Sequence, residues 1–196
     1  MRRDDLDVKS PQNSCATLSC EDASIPLGFT LDGGFRKTML KDSAQRVQDA
    51  LAQWHHPHPV IELEASSHTA SDAATALQCE IGQIVKSLIF QGSATKLPYL
   101  LLLSGVNRVD LSKIQPLVGE SVKRADPDWV KSVTGFAIGG IPPLAHAVSI
   151  QTFMDQSLFN YPILWAAAGH SHAVFQCSPE ELQRMSHATL TDFRQV

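Results

Sequence analysis

Hydrophobic positions along this chain gather into short continuous runs, with helical spacing between them. Two runs stand out. Ile84-Val85-Lys86-Ser87-Leu88-Ile89-Phe90 follows Gly82, and Tyr99-Leu100-Leu101-Leu102-Leu103-Ser104 lies between Pro98 and Gly105. Apolar runs of this length bounded by turn residues predict buried strands. Gly92-Ser93-Ala94-Thr95-Lys96 between them predicts a hairpin connection. Val60-Ile61-Glu62-Leu63, Ala147 to Ile150, Ile163 to Gly169 and His172 to Gln176 read as further strands.

The intervening stretches carry helix signals. Val47, Ala50, Leu51 and Trp54 recur at helical spacing behind Asp42 or Ser43 as N-cap, and the His55-His56-Pro57-His58-Pro59 segment ends that helix. Ser71 or Asp72 caps an Ala-rich helix over about Ala73 to Leu77, which exits through Cys79 to Gln83. Another helix spans about Leu111 to Val118, and Asp126-Pro127 opens a third with proline at its first position. Ser178-Pro179-Glu180-Glu181 combines an N-cap, a first-position proline and a capping box, predicting a helix to about Met185. Strands and helices intersperse without strict alternation, which predicts an α/β or α+β domain with a mixed sheet flanked by helices. Residues 1–38 show no sustained periodicity and read as an N-terminal extension, partly disordered or draped on the surface; residues 39–196 read as the domain.

Composition narrows the function classes. The 196 residues suit one domain with a sizeable core. A formal net charge of −4 lacks the balance of a general nucleic-acid binder. Lys113, Lys123, Arg124 and Lys131 cluster in one stretch and read as a solvated helix face. Cys15, Cys20, Cys79 and Cys177 form no metal-spaced or CxxC pattern, pointing to reduced thiols in the cytoplasm. No apolar run reaches the roughly 18 residues of a membrane span. His55, His56 and His58 invite a metal reading, but the prolines between them impose extended backbone and no acidic or Cys ligand sits at suitable spacing. No metal or cofactor is expected.

Chemistry enters with Lys86, a cation in a strand that should be apolar. A buried ammonium is costly without a partner. Its bland reading is a snorkelling side chain paired with a carboxylate; its functional reading is charge offered to a carbonyl or phosphate. Fifty residues on, Thr134-Gly135-Phe136-Ala137-Ile138-Gly139-Gly140-Ile141-Pro142-Pro143 offers backbone N–H groups with little side-chain obstruction. Lys86 and Ser87 are adjacent, so in a regular strand they point to opposite faces, and a bulge or strand end would be needed for both to reach one ligand. No GxSxG elbow occurs, which favours direct attack by water over a covalent intermediate.

Five segments in order, Gln83 to Phe90, Arg108-Val109-Asp110-Leu111, Ala125-Asp126-Pro127, Gly135 to Pro143 and Trp165 to Gly169, resemble the YbaK/prolyl-tRNA synthetase-associated domain family of trans-editing aminoacyl-tRNA deacylases. The resemblance covers about residues 43–194. It implies a compact mixed sheet whose cleft hydrolyses the ester of mischarged tRNA, a small or sulfur-bearing amino acid on tRNA for proline. Under it Lys86 and Gly139 are the catalytic residues, and Ser87, Gly140, Ile141, Pro142, Pro143, His172 and Asp155 line the substrate site. Ser87 stands where the family commonly has Thr or Asn. The implied partners are the acceptor end of aminoacyl-tRNA and a synthetase. A non-catalytic module binding tRNA or a synthetase through the same cleft is the alternative.

Overall fold

A computed structural model describes residues 40–64 and 69–195; the expectation for residues 1–38 lies outside them. Strands β1 (Ile61–Glu62), β2 (Val85–Gly92), β3 (Pro98–Ser104), β4 (Val122–Arg124), β5 (Gln151–Asp155), β6 (Leu164–Ala167), β7 (Ala173–Cys177) and β8 (Thr189–Thr191) are interspersed with five helices. These are α1 (Asp42–Gln53), α2 (Ala70–Leu77), α3 (Leu111–Val118), α4 (Pro127–Thr134) and α5 (Pro179–Ser186). A five-stranded sheet has the order β4-β2-β3-β5-β8, and a three-stranded one β1-β7-β6. The larger sheet is mixed: β2 pairs antiparallel with β3 and β4, whereas β3–β5 and β5–β8 are parallel.

The continuous apolar runs follow from burial of the larger sheet on both faces. Val85, Ile89, Leu100, Leu102 and Met154 join one cluster with Val47 and Leu51 of α1, Val130 of α4 and Leu182 of α5. Phe90, Tyr99, Leu101, Leu103 and Phe153 face the other way, against Ile114 of α3 and Phe193. Successive residues of one strand thus feed two cores, so no alternation is visible in the sequence.

Several local expectations are corrected. The cap of α1 is Lys41, which makes no side-chain cap bond, rather than Asp42 or Ser43. Helix α2 begins earlier than expected, because Thr69 and Asp72 form the capping box that satisfies its first N–H groups. Ala147 to Ile150 forms no strand. The parallel register places Gln151 opposite Tyr99, so the preceding residues run past the start of β3 at Pro98, and Ala147 N–H donates instead to the Thr134 carbonyl oxygen. The basic stretch is not one helix face: Lys123 and Arg124 lie on β4, between α3 carrying Lys113 and α4 carrying Lys131.

Candidate functional site

Strand β2 is paired along its length with β3, from Val85↔Ser104 to Gln91↔Pro98. Its other edge is different. Among the described residues it meets β6 in a single bridge, Ile84↔Trp165, and meets β4 only from Phe90 onward. Between those points the strand edge is open, and a cavity of about 250 Å³ lies against the gap. Lys86 and Ser87 both line it. The sequence argument required a bulge or strand end for two adjacent residues to share one ligand; the register with β3 is unbroken there, and what the structure has instead is a cavity beside an unpaired edge that both residues line.

The Lys86 ammonium donates a hydrogen bond to the Asn107 carbonyl oxygen at 2.8 Å. An ammonium has three donors, and among the described residues no carboxylate forms an ion pair with this one. Burial pulls its pKa below the ordinary 10.5, and the like charge of Arg108 pulls it further the same way. The paired-carboxylate reading of Lys86 is therefore not what the structure holds. Asn107 is itself tethered: its Nδ2 donates to Ser157 Oγ at 2.6 Å, and Ser157 Oγ donates to Asp155.

Opposite the strand edge stands the glycine loop. Gly139 and Ile141 line the cavity. Gly139 has φ of +92°, a conformation that side chains resist, although a Cβ there would meet nothing within 4 Å. Gly140 is needed for contact instead, since a Cβ would fall 2.3 Å from the His170 Cα. Gly169 N–H donates to the Gly140 carbonyl at 2.9 Å, and a Cβ on Gly169 would lie 2.4 Å from the Ser43 carbonyl oxygen. Three distant segments thus press together backbone to backbone. Pro142 and Pro143 are buried and, like Gly140, line neither this cavity nor the one beside it. The Pro142 carbonyl lies 2.8 Å from His146 Nε2. Burial lowers the His146 pKa from 6.5, so the neutral ring donates that bond.

Two expected substrate contacts are placed elsewhere. His172 does not line the cavity; its Nδ1 lies 3.4 Å from the Leu63 carbonyl, while His170 supplies the imidazole, with Nε2 2.9 Å from Glu62 Oε1. Both histidines lie in the turn that follows Gly169, where φ is +100°. Asp155 is fully buried and lines neither cavity. Its carboxylate accepts from Ser157 N–H and Oγ and from Phe193 N–H. Trp165 is half-buried and forms a wall, as do Ala70 and Ala73 of α2. No sequence signal marked those alanines beyond helix formation. Ser87 Oγ is buried and has no hydrogen-bond partner among the described residues.

The His55 to His58 segment is used structurally: His56 Nε2 contacts the Gln176 carbonyl at 2.7 Å and its Nδ1 lies 3.5 Å from Glu181. Among the described residues no group of three or more His, Cys, Asp or Glu could hold a metal ion, and no helix is long and apolar enough to cross a membrane.

A family model described as the aminoacyl-tRNA editing domain matches residues 64–185, more than half of the chain. An uncharacterised Bacillus subtilis protein, YwhH, is 28% identical over 144 residues, spanning 74% of this chain and 91% of that protein. A solved structure assigned provisionally as a trans-editing enzyme for prolyl-tRNA synthetase superposes with a TM-score of 0.75 at 44% identity, covering 80% of this chain and 99% of that one. Another, described only as a hypothetical protein, gives a TM-score of 0.71 at 25% identity over 76% of this chain and 99% of the other.

Proposed function

The chain belongs to the aminoacyl-tRNA editing domain family, and from that premise and the cleft we propose that it hydrolyses the ester joining a wrongly attached amino acid to tRNA. The observation that carries the reading is the Lys86 ammonium at the open edge of β2, held by one carbonyl, with no counter-ion among the described residues and Gly139 across the cavity. Such a site supplies positive potential and backbone donors where a carbonyl oxygen would gain charge.

The step is simple in its balance. Water adds to the ester carbonyl, the oxyanion collapses, the bond to the ribose oxygen breaks, and that oxygen takes the proton water gave up. Lys86 stabilises the developing negative charge, and the Gly139 loop approaches it through main chain. An aminoacyl ester is already activated, and its own α-amino group is a base within reach of the attacking water, so a protein nucleophile is unnecessary. The cavity, at about 250 Å³, lies below the range of about 300–1,000 Å³ typical of drug-sized ligands, which favours a small or sulfur-bearing amino acid. The likeness to a structure assigned provisionally as a trans-editing enzyme for prolyl-tRNA synthetase supports tRNA for proline as the carrier and that synthetase as a partner.

The test is a deacylation screen over mischarged tRNAs. Wild type hydrolyses at least one several-fold above the spontaneous rate, and Lys86→Ala loses about 10²–10³ of that acceleration while its circular dichroism spectrum and Tm stay close to wild type. Equal rates in the variant would remove Lys86 from the chemistry, and binding without turnover in wild type would make the cleft a non-catalytic module.

A further inference from the structure

Asp155 is fully buried, lines neither cavity and forms no ion pair among the described residues. A carboxylate so placed is costly unless hydrogen bonds compensate it, and the hydrolytic step makes no use of it. We propose that Asp155 is a positioning residue for the catalytic cation: through Ser157 and Asn107 it fixes the carbonyl that holds the Lys86 ammonium at the open edge of β2. The proposal rests on the deacylase reading and adds to it the residues that set where the charge stands.

Three observations carry it. First, the bonds form an unbroken chain. Lys86 Nζ donates to the Asn107 carbonyl at 2.8 Å, Asn107 Nδ2 donates to Ser157 Oγ at 2.6 Å, and Ser157 Oγ donates to Asp155. A hydroxyl has one proton to give, so the carboxylate fixes which way Ser157 points and, through it, the Asn107 amide. Second, the same carboxylate fastens the turn from its far side. Its Oδ2 accepts from Phe193 N–H at 3.1 Å. The Phe193 carbonyl accepts from Asp110 N–H, and the Arg108 carbonyl from Gln195 N–H, each at 2.8 Å. Residues 107–110 are thus held between Ser157 and the C-terminal segment, and both fastenings meet at Asp155. Third, that turn carries both groups that act on the ammonium: the Asn107 carbonyl as acceptor and, one residue on, Arg108 as a like charge. A lysine stem is flexible, and a displacement of about 1 Å at a reacting centre costs up to about 10²-fold in rate. Holding the turn holds the charge.

The experiment is NMR of the full chain with its lysines labelled at Cε and Nζ, alongside deacylation kinetics. Asn107→Ala keeps the main-chain carbonyl that Lys86 uses and deletes only the tether. Ser157→Ala deletes the other end and leaves Asp155 its bond from Phe193 N–H. In wild type the Lys86 signal has a higher order parameter than the exposed lysines. Each variant brings that signal down to their level while the buried amides stay ordered, lowers kcat about tenfold and leaves KM within about twofold. The double variant matches either single one, because both cut the same link. Asp155→Ala gives the same loss if it folds, and the two tether variants decide the matter if it does not. An unchanged Lys86 order parameter in any folded variant, losses that add in the double variant, a rise in KM at unchanged kcat, or a loss of order spread over the core would overturn the proposal. The order parameter needs no turnover, so failure of the deacylase reading would appear in the screen while the positioning is judged on the lysine signal.

Discussion

At the scale of single residues, the environment of Lys86 is set by burial first and by Arg108 second, both acting against its charged form. Arg108→Ala removes the like charge and leaves the burial, so the Lys86 titration moves up but stays below 10.5. Side-chain NMR of labelled lysine reads that midpoint directly; no movement, or movement downward, would show that Arg108 does not act on the ammonium. Lys86 and the Gly139 to Pro143 loop were legible in the sequence because each is a local anomaly, a charge in an apolar run and glycines beside prolines. The choice between His170 and His172 was not. Only Ser171 separates them, and both lie in the turn that follows Gly169, where φ is +100°. Asp155 was visible as an acid near the right place, but its hydrogen bonds to Ser157 and Phe193 depend on the arrival of the C-terminal segment, which no local pattern announces.

Among elements, strands buried on both faces and helices with polar caps announced themselves, whereas β4 and β8 did not. Each is three residues long with mostly half-exposed or exposed positions, so neither contributes a hydrophobic run. The gap along β2 was equally invisible, since it reflects where β4 and β6 diverge rather than anything in β2 itself. The hairpin between β2 and β3 was read correctly, and the structure shows what pins it. Glu120 accepts hydrogen bonds from the Thr95 hydroxyl, from the backbone N–H groups of Ala94 and Thr95, and from Tyr99, and these hold its carboxyl at about 2 instead of 4.5. A depressed carboxylate stabilises the fold fully above 4.5, and that contribution is lost as pH falls toward 2. Thermal unfolding of Glu120→Gln across that range should therefore decline less with acid than wild type; parallel curves would show that the carboxylate does not hold the turn.

At the scale of the molecule, 20 acidic residues against 16 basic ones give a formal charge of −4, which supplies no net long-range attraction to a polyanion, so under the proposed function recognition of tRNA rests on contacts at the cleft. Binding of aminoacyl-tRNA should then weaken only gently with salt. One or two phosphates give a slope of about −1 to −2 in log K against log salt, measurable by titration between about 50 and 200 mM salt. A slope several times steeper would reveal a broad basic surface. The backbone contact among Ser43, Gly169-His170 and Gly140 bears on a different property of the molecule. The loop is seated both by that main-chain contact and by the buried Ile141, whereas Ile138 lines the cleft from an exposed position. The frame and this part of its lining are therefore separately heritable: under the proposed function, substitution at Ile138 changes which amino acid is accepted while the backbone contact around Gly140 passes on intact.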